Sequence, residues 1–166
     1  MFPIYTTFGS SNGIELITST ATNQTVVTGT TSNTITYSFL IPANTFQTGD
    51  IFMFDFRNVF TGTANNKTTR VYINNTNDLA TPDQIANKLS GSTVLSLDLA
   101  RRVSIKSTTV TQVYAITNSN AGADFESTIA VTEINIDWTA NQYFIVAIQL
   151  GNAADSGVLS HFRLLR

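Results

Sequence analysis

The chain has 166 residues, 42% of them hydrophobic, which is the length of one domain and enough apolar material for a core. Only 12% are charged and the formal net charge is −2, against about 25% charged residues in an ordinary soluble domain; with Arg101-Arg102 the one adjacent basic pair, nucleic-acid binding lacks its basic footprint. Cysteine is absent, which excludes disulfides and thiolate metal sites, and no apolar run reaches the length needed for membrane insertion.

Thr, Asn and Ser take the place of charge, at about a third of the chain, well above ordinary usage. Such neutral polar surface suits sheets packed against neighbouring subunits, where a buried ion is costly. Residues 1–33 read as an N-terminal arm or anchor. The first eight have neither a basic n-region nor a long apolar core, so they do not form a signal peptide. Phe2, Ile4, Tyr5 and Phe8 cluster there around Pro3 and are the candidate residues for docking onto another protein. Residues 9–34 are rich in Gly, Ser, Thr and Asn, with apolar interruptions at Ile14 to Ile17 and Val26-Val27. They read either as a semi-extended arm or as a first strand pair.

From residue 34 onward, short apolar stretches separated by turn residues predict an all-β antiparallel sandwich, a jelly roll, of about 8–10 strands. Ile35, Tyr37 and Phe39 alternate with Thr36 and Ser38 up to Pro42. In the stretch from Ile51 to Phe60, Phe52, Phe54, Phe56 and Phe60 share one parity and point to the core, while Met53, Asp55 and Arg57 point away. Thr69, Val71 and Ile73 alternate next. Thr81-Pro82-Asp83-Gln84 then has the form of a capping box with Pro at the first helical position, and Ile85 and Leu89 lie four apart, so one short helix is expected near 82–89. From Val94 to Lys106, Arg101 interrupts the parity of Leu95, Leu97, Leu99, Val103 and Ile105, so it meets a carboxylate, lies at an edge or escapes through a bulge. Strands over 110–116, 128–138, 142–150 and 158–165 complete the set. The run from Tyr143 to Ile148 is apolar on both parities. Its second side needs a cover: the N-terminal segment, a loop, or another subunit around a three-fold axis, for which Tyr143, Ile145, Ala147 and Gln149 are the interface candidates.

Chemistry is sparse. His161 is the one histidine and adjoins Ser160, but neighbours on a strand face opposite ways, which speaks against a catalytic pair. Asn74, Asn75, Asn77 and Asp78 near Asp83 offer oxygen ligands without the calcium-loop spacing. Trp138, Tyr72 and Tyr143 read as core or interface aromatics before sugar platforms. No Gly-rich phosphate loop follows a strand. No catalytic residue, metal or cofactor is expected, and the chain does not read as an enzyme.

Leu40-Ile41-Pro42-Ala43-Asn44-Thr45-Phe46-Gln47-Thr48-Gly49-Asp50 and Asn135-Ile136-Asp137-Trp138-Thr139-Ala140-Asn141-Gln142-Tyr143, continued by Gln149 to Ser156, resemble a recurrent domain of tailed-bacteriophage virion proteins, including those of crAss-like phages, whose jelly roll is similar to tumour necrosis factor. The resemblance spans about residues 34–166. It implies a compact homotrimer located in the virion, with capsid or tail proteins as partners and no catalytic residues. The N-terminal stretch lacks the shaft of a tail fibre, which points to a head-fibre or capsid-decoration protein; the alternative is a receptor- or host-glycan-binding tip or module.

Overall fold

A computed structural model describes residues 14–62, 65–113 and 131–166. Within them run β1 (Leu16–Thr20), β2 (Val27–Thr28), β3 (Thr34–Ile41), β4 (Ile51–Thr61), β5 (Lys67–Asn74), β6 (Asp83–Ser90), β7 (Ser96–Ser107), β8 (Val110–Val113), β9 (Thr132–Asn135), β10 (Gln142–Leu150) and β11 (Ser156–Leu165). They form two antiparallel sheets. One has the order β1-β11-β4-β7-β8-β9, with β2 also paired to β11; the other has the order β3-β10-β5-β6.

The sheets share one core because their inward parities are apolar on both sides. Phe52, Phe54 and Phe56 of β4 are buried, as the alternation requires, against Phe144 and Val146 of β10 and Phe162 of β11. Phe54 and Phe144 meet edge to face at 5.2 Å, and Phe144 lies 5.1 Å from Phe162, geometries that add to area burial. Asn58 occupies the same inward row and crosses the sheets by donating from Nδ2 to Thr69 Oγ1 at 2.8 Å. Arg101 is buried on the inward parity of β7, between β4 and β8 and so not on an edge strand, and its guanidinium donates to the Ala100 carbonyl at 2.7 Å.

One expectation changes. The helix near 82–89 is instead β6, paired antiparallel with β5. An isolated two-turn helix is marginal in water, whereas the strand docks Ile85 and Ala86 into the core. The pairing slips between Val71 and Tyr72, so Ile85 has no partner across the ladder, and the adjacent Ile85 and Ala86 are both buried. Leu89, placed with Ile85 on one helical face by the sequence, is exposed. The segment over residues 9–34, read either as a semi-extended arm or as a first strand pair, takes the second form within the described residues. From Leu16 it is strand-paired: Leu16 lies opposite Leu165, Thr20 opposite Phe162, and Val27 opposite Gly157.

Residues 14 and 166 sit at the same end of the sandwich. Glu15 and Arg166 exchange backbone hydrogen bonds of 2.7 and 2.8 Å, and the Arg166 side chain reaches Glu15 and the Thr45 carbonyl. Gly62 and the turns at 91–95 and 151–155 lie at the opposite end.

Candidate functional site

The two resembling stretches close the ends of the sandwich. At the end that holds residue 14, the β3–β4 loop meets the turn before β10. Asn44 takes a left-handed conformation (φ 61°), which asparagine tolerates better than most residues, and its N–H donates to the Trp138 carbonyl at 2.8 Å. Ala43 N–H donates to Asn141 Oδ1 at 2.9 Å. Trp138 is buried as a plug, with Phe46 edge-on at 5.1 Å and its indole N–H on Thr111 Oγ1 at 2.8 Å. Asp137 shapes the turn by accepting from the Thr139 hydroxyl and N–H, which hold its carboxyl below the usual range.

At the far end lies a buried ion pair. Lys67 Nζ is 3.4 Å from Asp155 Oδ2, with both side chains almost wholly inaccessible. The same nitrogen donates to the carbonyls of Gly62 and Ser92, each at 2.7 Å. Three turns are thereby tied at one point. Gly62 is required there: its φ is +80°, and a Cβ would fall 1.9 Å from Asp155 Oδ1. The sequence reading missed this pair. The available signal was Lys67 itself, which continues the inward parity of Thr69, Val71 and Ile73; its partner is set by topology alone.

The outer face of the four-stranded sheet holds the expected interface residues. Tyr143, Ile145, Ala147 and Gln149 stand in one row along β10, which lies between β3 and β5. Ile145 and Ala147 are fully buried by the chain's own side chains: Tyr72, Tyr143, Ile35 and Leu79 of the β5–β6 loop. Arg70 extends the cover by donating to Gln149 Oε1 at 2.8 Å, and Asn33 Nδ2 donates to the Tyr72 hydroxyl at 3.0 Å. Of the three covers considered for this strand, the loop of the same chain is present. Tyr143 and Gln149 stay half-buried, flanked by exposed Leu40 and Leu89 on the same face. Phe2, Ile4, Tyr5 and Phe8 lie outside the described residues.

The outer face of the seven-stranded sheet carries paired charges. Asp55 on β4 accepts from Arg163 Nε at 2.9 Å and lies 3.0 Å from His161 Nε2. Arg57 and Asp98 pair through two hydrogen bonds of 2.9 and 3.0 Å, which hold the guanidinium above its ordinary pKa. Asp55, Arg57, Asp98 and His161 ring a shallow hollow of about 250 Å³ over Ala100. Ser160 sits at a register shift between Leu159 and His161, and its hydroxyl donates to the Arg57 carbonyl at 3.3 Å. It is engaged with backbone rather than with the imidazole, so the pair offers no activated nucleophile.

The oxygen-rich loop after β5 is explained by its own hydrogen bonds. Asp78 Oδ1 accepts from Ala80 N–H at 2.9 Å and from Asn74 Nδ2 at 3.1 Å. The Ala80 N–H and the Thr76 hydroxyl hold the Asp78 carboxyl below its usual range. Among the described residues, no three acidic or histidine side chains gather as a metal site. Searches against protein-family models, curated proteins and solved structures found no match to this chain.

Proposed function

We propose that the chain is a non-enzymatic structural component of a tailed-bacteriophage virion, a homotrimeric jelly roll serving as a head fibre or capsid-decoration protein and held to the particle by its N-terminal residues. The observation that carries this reading is the strand order. Taking β1, β3, β4, β5, β6, β7, β10 and β11 as the eight principal strands, β1-β11-β4-β7 faces β3-β10-β5-β6, an order that supports reading the two sheets as a jelly roll; β8 and β9 extend one edge. The stretches that resemble phage virion domains are the end closures of this frame, around Trp138 and around Asp155. The chain enters at the Trp138 end, so an anchor preceding residue 14 leaves the Lys67 end facing outward.

The test is a mass-spectrometric inventory of purified particles, with the chain located by microscopy, followed by deletion of residues 1–13. The expected result is a folded protein that no longer joins particles. A deletion of residues 1–33 is unsuitable because it also removes β1 and β2. Incorporation of the 1–13 deletion at the normal level would sink the anchor. The second reading is a receptor- or glycan-binding tip, favoured by the polar hollow over Ala100, where carboxylate, guanidinium and imidazole groups could meet sugar hydroxyls. It predicts glycan binding that Arg57→Ala weakens and the 1–13 deletion leaves unchanged.

A further inference from the structure

Lys67 and Asp155 are placed for more than an ion pair. Burying two charges costs more than their attraction returns unless hydrogen bonds complete the site. Here one carboxylate oxygen, Asp155 Oδ2, is buried without a hydrogen-bond partner among the described residues. The small apolar cluster of Val27, Phe60, Leu97, Ile148 and Leu150 lies at this end of the core, and Lys67 stands opposite Leu150 in register. Joining the amine to the carboxyl removes both charges from the interior. The carbonyls of Gly62 and Ser92, each 2.7 Å from Nζ, hold that nitrogen in place. Asp155 Oδ2 lies 3.4 Å from the same nitrogen, so amine and carboxyl are in contact.

We propose that Lys67 and Asp155 condense into an intramolecular amide. One ammonium proton passes to the carboxylate, Nζ attacks Cγ, the C–N bond forms, and the C–OH bond breaks. The hydroxyl leaves with a proton from nitrogen as one water. The step is redox-neutral and needs no co-reactant. Holding amine and acid together supplies an effective concentration of about 10⁵–10⁸ M when alignment is good, and exclusion of solvent protects the product from hydrolysis. In a chain without cysteine, the bond would staple the start of β5 to the turn that enters β11. It is independent of whether the chain belongs to a virion.

The experiment is the intact mass of the purified full chain, with tandem mass spectrometry of its tryptic peptides. The expected mass is lower than the sequence mass by one water, with a branched peptide joining residues 58–70 to 107–163 through Lys67 and Asp155. Asp155→Asn should lose one ammonia instead, and Lys67→Met should show its full sequence mass, a readout that holds whether or not that variant folds well. A wild-type chain at full mass, a water deficit located away from these residues, or the same deficit in Lys67→Met would overturn the proposal.

Discussion

Phe54 has no accessible surface and touches both sheets through Phe56 and Phe144. Its truncation removes transfer energy and leaves a cavity that neighbouring strands cannot collapse into. Phe54→Ala should therefore cost about 3–5 kcal/mol, measured by denaturant melts; a loss below about 1 kcal/mol would mean that the Phe-rich parity does not face the core. Lys67 is a different case. Lys67→Ala leaves the Asp155 carboxyl buried without its partner, at a cost of about 3–5 kcal/mol. Two acidic side chains set the response to pH. The carboxyls of Asp78 and Asp137 are lower in the fold than in the unfolded chain, so each contributes stability that is present above the ordinary aspartate value of about 3.9 and lost as pH falls through the lowered folded value. Asp83 opposes them: burial raises its carboxyl, so its penalty disappears in acid. Melting midpoints should fall below about pH 4, and Asp78→Asn with Asp137→Asn, which keep an acceptor oxygen in each turn, should flatten that fall. An unchanged acid profile in the double variant would remove these two turns from the account.

At the scale of elements, what could be read locally was read well. β4 was legible because a period of two, carried by four phenylalanines, has no helical counterpart. β10 was legible as a strand covered on both sides, but the identity of its cover was not: Tyr72, Leu79 and Ile35 lie far from it in sequence and arrive through pairing. β6 was misread because its capping signals are local, while the ladder to β5 and the core contacts of Ile85 that outweigh them are not. The same holds for Lys67 with Asp155. For β1 and β2 the sequence leaves arm and strand pair open, because their composition is that of a linker; their strand character comes from the free edge and the ends of β11. A prediction follows for these two strands. Deleting residues 1–13 should leave thermal stability nearly unchanged. Deleting residues 1–33 should lower it markedly and promote aggregation, because it bares the edge of β11 and removes Val27 and Ile17 from the core. Equal stability of the two truncations would show that β1 and β2 contribute nothing to the fold.

For the whole molecule, the proposed trimer needs a surface to associate through. Low charge favours burial of either sheet, since few ions need desolvating, but the two outer faces differ. On the seven-stranded sheet, Arg57 with Asp98 and Arg163 with Asp55 occupy the centre, with exposed Leu16 and Ile51 toward one end. On the four-stranded sheet, Tyr143, Ile145, Ala147 and Tyr72 make an apolar centre, with Leu40 and Leu89 exposed near its borders. Because Ile145 and Ala147 are already covered within one chain, a partner would gain mainly from Tyr143, Leu40 and Leu89. A trimer through this face should be visible by analytical ultracentrifugation at micromolar concentration. Leu40→Glu with Leu89→Glu should dissociate it without unfolding the protomer, since both side chains are exposed, whereas Leu16→Glu with Ile51→Glu should leave the trimer intact. The reverse pattern would move the interface to the seven-stranded sheet. A folded wild-type chain that stays monomeric at these concentrations would remove the trimer altogether, leaving the cover over β10 as a feature of the single chain.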